Sequence, residues 1–391
     1  MNADVIDVLR RLIGMNTVSH RSTREIADFV CNYLDPFGFT IEQHVYHLEV
    51  HDKEQGKVKV EKVNVIARKG GDDLHLALAG HMDTVPFKQD EWRTDPLKLT
   101  HVGNKWFGRG TCDMKGFLAL AMIAGSRISA NQLKRPFGLV FTSDEEVGCI
   151  GAKKLIRDKG RVAEMYIIGE PTEFHPFILH KGYMYIGIEL HGKGGHGSRP
   201  ADGINVIERG LRLILGKIEK FKRHLGDIVD IRLDPPYPTL NIGVVSTGEN
   251  SAKNMIADYC RVELEIRPVP GQDVHEMFHA FSNYLTDGEE RVDGVGVKVA
   301  FKRAPTPPME TSREALVVRE VERMCGHTAC STSFNTEGGV FNASGAHSVI
   351  CGLGSIQQAH QPNEFVHEKY LTDAMVEKYI ATILNICGKE V

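Results

Sequence analysis

Five short clusters of acidic and histidine residues could bind metal ions in this 391-residue chain. They are His81-Met-Asp83, Cys112-Asp113, Asp144-Glu145-Glu146, Gly169-Glu170 and Ala359-His360. Together they supply two imidazoles, at least three carboxylates suited to a metal and a spare carboxylate beside them. Imidazole nitrogens and carboxylate oxygens are typical ligands of zinc sites that keep a position open for water. Two such ions activate water and polarise a carbonyl, so the set predicts a hydrolase with two zinc ions.

Each cluster alone also has an ordinary explanation. His-x-Asp after an apolar run could be a surface turn, Asp113 ahead of a helix could be an N-cap, and acids 144–146 could lie in a solvated loop. Three consecutive acids repel each other, however, which indicates a nearby cation. Four of the clusters follow apolar runs typical of strands, and sites in open α/β sheets gather at the carboxyl ends of strands. The joint pattern therefore favours one shared site.

The strands and helices predicted around these clusters indicate an α/β layered domain. Its predicted strands are Lys62–Arg68, Leu74–Ala79, Gly138–Thr142, Met165–Ile168 and Ser348–Gly352. Its predicted helices cover residues 3–14, 22–36, 115–130 and 312–325. The charged stretch Val45–Lys62 is predicted to be a loop.

The pattern changes near residue 181, where a βαββαβ-like unit is predicted. Its predicted strands are Tyr183–Gly192, Thr239–Val245, Asp258–Ile266 and Val295–Phe301, and its helices cover 204–225 and 273–286. Such a unit makes a small antiparallel sheet with two helices on one face. We therefore predict a discontinuous larger domain, 1–180 and 293–391, and an inserted smaller domain, 181–292.

The composition excludes several classes of protein. Hydrophobic residues make up 42% and charged residues 25% of the chain, which is ordinary for a globular protein. A net charge of −4 gives no electrostatic reason to expect nucleic acid or an anionic membrane as partner. No apolar stretch reaches the roughly 18 residues of a membrane helix, and acidic residues interrupt the N-terminal region where a signal peptide would be apolar. These features predict a cytoplasmic protein, and its eight scattered cysteines are expected to be mostly buried thiols.

Seven motifs resemble those of the M20 metallopeptidase family. They are GHMDTVPF (80–87), W-x-x-DP (92–96), GRGTCDMKG (108–116), TSDEE (142–146), IIGEPT (168–172), GGHGSRP (194–200) and GSIQQAHQPNE (354–364). The resemblance covers essentially the whole chain. It implies a zinc-exopeptidase-like catalytic domain with a mixed sheet flanked by helices, an inserted α+β ferredoxin-like dimerisation domain, and a homodimer.

The resemblance also implies a role for each clustered residue. Asp113 would bridge two Zn²⁺ ions, for which Co²⁺ could substitute. His81 and Glu170 would complete one site, and Glu146 and His360 the other.

Three further residues would act beside the metal ions. Glu145 would be the general base that takes a proton from water and passes it to the leaving amine. Asp83 would accept the second ring N–H of His81 and so orient it. His196, in the Gly-rich segment 192–199, is either an exposed loop histidine or, as in related dimers, a group that stabilises the oxyanion in the partner's active site.

The substrate implied by the resemblance is an N-acylated amino acid. Asn254 and Arg267 could bind its α-carboxylate, or they could be structural strand-end residues. Glu337 could pair with the cationic side chain of ornithine and repel a succinyl carboxylate. The expected reaction is therefore hydrolysis of N2-acetylornithine to ornithine and acetate, a step of arginine biosynthesis.

Other activities within the same family fit the motifs as well. They are desuccinylation of succinyl-diaminopimelate, deacetylation of N-acetylcitrulline, and a general aminoacylase or dipeptidase activity. An inactive relative that binds amino-acid derivatives, or acts as a scaffold, would lack a ligand or Glu145, and the sequence contains them all.

Overall fold

The computed structural model describes residues 2–52, 56–248, 252–289 and 291–389. Their α-helices are α1 Ala3–Gly14, α2 Arg24–Leu34, α3 Lys115–Arg127, α4 Ile150–Lys159, α5 Arg212–Leu225, α6 Val274–Thr286, α7 Leu316–Cys325, α8 Gly338–Ala343 and α9 Asp373–Cys387. Their strands are β1 Thr40–Asp52, β2 Gly56–Lys69, β3 Leu74–His81, β4 Thr100–Val102, β5 Lys105–Phe107, β6 Phe137–Thr142, β7 Ala163–Ile168, β8 Phe177–His180, β9 Met184–His191, β10 Gly195–His196, β11 Thr239–Thr247, β12 Met255–Ile256, β13 Tyr259–Arg267, β14 Arg291–Val292, β15 Val295–Phe301, β16 Met309–Glu310, β17 Cys330–Thr332, β18 His347–Ile350 and β19 Phe365–His367. A π-helix, Val206–Leu211, directly precedes α5.

The chain divides into two compact units. The first comprises Met1–Ile178, Met309–Cys330 and Thr336–Val391, and the second comprises Leu179–Pro308 and Ser331–Asn335. The second unit extends past the boundary expected at residue 292, because β15 pairs along β9 and belongs to the same sheet. A role of this unit in dimerisation stays a prediction.

The first unit is built on a mixed sheet in the order β1-β2-β6-β3-β7-β18-β8-β16. Its four central strands, β6, β3, β7 and β18, are mutually parallel. Parallel strands place their carboxyl ends at the same edge of a sheet. The architecture confirms the predicted mixed sheet with flanking helices.

Both faces of this sheet are covered, which explains the unbroken apolar runs of its strands. On β3, Leu76 and Leu78 pack into a core shared with α1, α2, α3 and α9. The alternate residues Ala77 and Ala79 pack on the opposite face with residues of α4 and α8. Side chains alternate along a strand, so each face buries its own set.

The prediction of a loop over Val45–Lys62 is wrong for the described part of that range, residues 45–52 and 56–62, and residues 53–55 lie outside the described residues. β1 and β2 form a long antiparallel hairpin, with Thr40 opposite Arg68 and Val50 opposite Val58. The sequence KVKVE (57–61) alternates charged side chains with valine, which is the period-two pattern of a strand. The high charge of the segment concealed that period.

The second unit has an antiparallel sheet in the order β11-β13-β9-β15-β14. The chain order of its main elements, β9-α5-β11-β13-α6-β15, is the predicted βαββαβ unit. The apolar residues Ile186 and Ile188 of β9 pack against the helices α5 and α6. A short ribbon, β10 with β12, lies outside this sheet.

Among the described residues, no helix combines the length and the apolar character needed to cross a membrane.

Candidate metal centre

Four neighbouring parallel strands deliver four of the five candidate clusters, all except Cys112-Asp113. β3 ends at His81, β6 ends just before the acids 144–146, β7 ends two residues before Glu170, and β18 leads into the loop that carries His360. Because these strands are adjacent and parallel, their carboxyl ends meet at one edge of the sheet. The structure thus brings together clusters that lie far apart in the sequence.

The side chain of Asp113 lies between two imidazoles. Its Oδ1 is 3.0 Å from Nε2 of His81, and its Oδ2 is 3.4 Å from Nε2 of His360. His81 is almost fully buried, whereas the His360 side chain is 53% exposed. One carboxylate therefore presents a separate oxygen to each of two histidines, which is the arrangement of a bridging ligand.

Two glutamates complete the cluster. Oε2 of Glu146 lies 2.8 Å from Nε2 of His360, and Oε2 of Glu170 lies 3.9 Å from Nε2 of His81. The other oxygen of each glutamate, Oε1, is buried and has no hydrogen-bond partner among the described residues. Buried polar atoms without a partner call for an explanation, such as an ion. Zinc is bound by these nitrogen and oxygen donors, so the residues fit a metal centre.

The cluster contains two triads of residues, and within each triad the ligand atoms lie within 4.8 Å of one another. The first triad is His81, Asp113 and Glu146, and the second is His81, Glu145 and Glu170. The two triads share His81 and mark neighbouring candidate positions for a cation.

The electrostatics of the cluster show an excess of negative charge. Burial raises the pKa of Glu146 to about 7, with the charge of Asp113 acting in the same direction. Burial likewise raises the pKa of Glu170 well above its ordinary value. Hydrogen bonds to Asp113 and Glu146 raise the pKa of His360 to about 10. The raised pKa values mean that these side chains hold protons, which supply the positive charge that bound cations would otherwise supply to the carboxylates.

Glu145 belongs to the second triad but differs from Glu146 in its contacts. Its Oε1 accepts a hydrogen bond from the thiol of Cys149, at 3.3 Å. Burial raises the pKa of Glu145 to about 8. A carboxyl group in this environment is able to hold a proton near neutral pH, as a general acid–base residue must.

Asp83 does not contact His81 in the way that the sequence predicted. Nδ1 of His81 lies 3.0 Å from the backbone oxygen of Asp83 but 3.6 Å from its Oδ1. The carboxylate instead accepts hydrogen bonds from the backbone N–H groups of Glu145 and Glu146, at 3.1 and 3.3 Å, and from Oγ of Ser19. The backbone of Asp83 therefore orients the imidazole, while its side chain holds the next loop.

The loop that carries Asp113 begins at Gly108 and depends on a left-handed glycine. Gly110 has a φ of 87°, and a Cβ on it would lie 3.0 Å from Cγ2 of Thr84. The pattern Gly-x-Gly ahead of Asp113 thus reflects a tight turn packed against a neighbouring segment.

The three consecutive acids indicated a nearby cation. For Asp144, the first of them, that cation is Lys62. Nζ of Lys62 lies 2.6 Å from Oδ1 of Asp144, and Tyr46 donates to Oδ2 at 3.0 Å. Sequence reasoning missed this network because the segment that contains Tyr46 and ends at Lys62 was predicted to be a loop.

Glu337 is fully buried in the first unit. Its Oε2 accepts a hydrogen bond from Oγ1 of Thr142 at 2.6 Å, while its Oε1 has no partner among the described residues. Burial raises the pKa of Glu337 to about 7. Its proposed contact with a substrate side chain stays a prediction.

In the second unit, His196 and Asn254 lie on neighbouring segments. His196 pairs in register with Met255, and the backbone N–H of Gly197 donates to the backbone oxygen of Asn254 at 2.7 Å. The backbone N–H of Ser198 donates to Nδ1 of His196, so a neutral His196 carries its proton on Nε2. The ring is exposed and presents a donor.

Arg267 lies at the other end of β13 from Asn254. At about 3.3 Å per residue, the nine-residue strand separates the two positions by roughly 25 Å. Arg267 pairs with Glu265 at 3.2 Å and lies over the ring of Tyr183. Asn254 and Arg267 therefore lie towards opposite ends of β13 and do not form one cluster in the second unit.

Comparison with known proteins identifies the class. The sequence profile of peptidase family M20/M25/M40 matches residues 77–385. The chain belongs to this family and is a metal-dependent hydrolase, as its motifs predicted.

Particular relatives are similar over nearly the full chain. Acetylornithine deacetylase of Myxococcus xanthus is 34% identical over 97% of both chains. Acetylornithine deacetylase of Pasteurella multocida is 34% identical over 90% of this chain and 88% of its own. The fold resembles that of an M20 family metallo-carboxypeptidase from Sulfolobus solfataricus, with a TM-score of 0.72 and 18% identity over 99% of this chain and all of the other.

Proposed function

We propose that this protein is a dizinc amidohydrolase that removes the acetyl group from N2-acetylornithine, giving ornithine and acetate. The observation that carries the proposal is the Asp113 carboxylate between His81 and His360, flanked by two glutamates with partnerless buried oxygens. The choice of substrate is supported by similarity to relatives named acetylornithine deacetylase.

The proposed ligands divide into two sets that share Asp113. His81 and Glu170 would hold one ion, and Glu146 and His360 the other. When bound, the two ions would lower the pKa of water and polarise the amide carbonyl.

Glu145 would then move the proton. Its Oε1 is engaged by the thiol of Cys149, which leaves Oε2 to take a proton from the attacking water. The same group would pass that proton to the leaving amine, because an amine leaves readily only after it is protonated.

Two residues outside the cluster would complete the site. The Nε2–H of His196 would donate to the oxyanion, and Asn254 would reach the α-carboxylate from the neighbouring segment. The wide separation of Asn254 and Arg267 supports a site completed by a second copy of the chain, in a homodimer.

The proposal is tested on purified protein stripped of metal and reloaded with Zn²⁺ or Co²⁺. The substrates are N2-acetylornithine, N-acetylcitrulline, N-succinyl-diaminopimelate, N-acetylmethionine and a dipeptide. The expected result is metal-dependent release of ornithine with the highest kcat/KM in the panel. A higher kcat/KM for another substrate would replace the substrate assignment, and activity without metal would overturn the mechanism.

A further inference from the structure

Glu364 is a fully buried carboxylate that faces the backbone of the loop carrying Asp113. Its Oε1 accepts the backbone N–H groups of Cys112 and Asp113, at 2.8 and 3.0 Å. Its Oε2 accepts the backbone N–H of Gly110 at 2.9 Å and the guanidinium of Arg109 at 2.8 Å. Four donors thus converge on one side chain, three of them from the loop backbone.

The fold explains why Glu364 reaches this loop. β19 pairs antiparallel with β5, with Phe365 opposite Phe107. The backbone N–H of Gly108 donates to the backbone oxygen of Glu364 at 3.1 Å, which continues the ladder by one step. The loop then turns around the carboxylate before it reaches Asp113.

Glu364 also lies in the segment that supplies the second imidazole. It follows His360 by four residues, and His360 has a left-handed backbone with a φ of 64°. Both oxygens of Asp113 face histidines, one of them His360. A shift between the two loops would therefore change the distance between the bridging carboxylate and His360.

We propose that Glu364 is a positioning residue of the metal centre, which joins the Asp113 loop to the His360 loop. This proposal rests on the proposed function, since it takes Asp113 and His360 as ligands. Glu364 itself would not touch the ions or the substrate. It would act by fixing the backbone from which Asp113 projects, and thereby the separation of the two cation positions.

The contacts predict that glutamine cannot replace this glutamate. Each oxygen of Glu364 accepts two donors. An amide in either orientation would turn its own N–H groups towards two of those donors, because an amide nitrogen does not accept hydrogen bonds. Glu364→Gln therefore keeps the size of the side chain and removes half of its acceptors.

The test is metal binding by Glu364→Gln, measured without substrate. Competition with a chelator should show a Kd for Zn²⁺ raised by about 10- to 100-fold, the usual effect of losing a group that orients metal ligands. The visible absorption of the Co²⁺-loaded variant should differ from that of the wild type. With substrate, kcat should fall while KM changes less than threefold.

A matched control is Glu320→Gln. Glu320 is also buried, and its carboxylate pairs with Arg323 and Asn385 on the helices α7 and α9. This variant should lower the melting temperature without changing the Kd for Zn²⁺ by more than twofold. The stabilisation produced by adding Zn²⁺ should shrink only in Glu364→Gln.

Wild-type Zn²⁺ affinity and Co²⁺ absorption in a folded Glu364→Gln variant would overturn the proposal. If that variant does not fold, Glu364→Asp decides, since it keeps the charge but shortens the side chain by one methylene. Reduced metal affinity would support the positioning role, and unchanged affinity would reject it. Failure of the wild-type protein itself to bind metal would instead reject the proposed function.

Discussion

The ammonium of Lys62 lies 2.6 Å from the carboxylate of Asp144, and both side chains are completely buried. Asp144 has a left-handed backbone with a φ of 59°, and it directly precedes Glu145 and Glu146. Lys62 also donates to the backbone oxygen of Ser19. The ion pair thus fixes the turn from which Glu145 and Glu146 project.

Removing Lys62 should destabilise the protein strongly. Lys62→Met leaves the Asp144 carboxylate buried without its counter-charge, with only the hydrogen bond from Tyr46, and removing one member of a buried ion pair costs about 3–5 kcal/mol of unfolding free energy. Urea unfolding of the metal-free protein measures the change. The control Lys57→Met removes an exposed pair with Glu49 in the same hairpin and should change stability by less than about 1 kcal/mol. Equal effects of the two substitutions would show that the buried pair contributes no more to stability than the exposed pair.

Replacing Glu145 should separate proton transfer from metal binding. In Glu145→Gln, kcat should fall by about 100- to 10,000-fold, because the proton carrier is lost. Zinc content by elemental analysis should stay at the wild-type value, whereas Glu146→Gln should lose one ion per chain. Loss of zinc from Glu145→Gln would show that Glu145 is a metal ligand, a role that its place in the second triad also allows.

A site shared between two copies should be detectable by mixing variants. His196→Ala and Glu145→Ala homodimers should each be nearly inactive. Co-refolded mixtures should regain activity, since one of the two sites in a heterodimer combines an intact His196 with an intact Glu145. Absence of recovery, with heterodimers confirmed by differential tags, would argue against sharing in trans.

The substrate role of Glu337 should appear as a difference between two substrates. Glu337→Gln should raise KM for N2-acetylornithine much more than KM for N-acetylmethionine, because only the former carries a cationic side chain. Thr142→Val removes the hydrogen bond to Glu337 but keeps its charge, and should affect both substrates alike. Equal effects of Glu337→Gln on both substrates would assign this buried residue a structural role.

Local sequence patterns predicted the strands and the residues that follow them. Apolar runs such as Leu74–Ala79 and Met165–Ile168 lie within β3 and β7, so the residues at their ends could be expected to meet. The supporting contacts had no such local signal. Arg109 and Glu364 are 255 residues apart in the chain, and only the pairing of β5 with β19 brings them together. Long-range hydrogen bonds of this kind depend on the completed fold.

The position of His360 has a consequence for biosynthesis. A ribosome adds His360 only after it has made the insertion from Leu179 to Pro308. Under the proposed assignment, a nascent chain already contains Asp113, Glu146 and Glu170 while one cation position still lacks its imidazole. Under this assignment, products terminated before His360 would lack a complete active centre, which would restrict amide cleavage to chains translated beyond that residue.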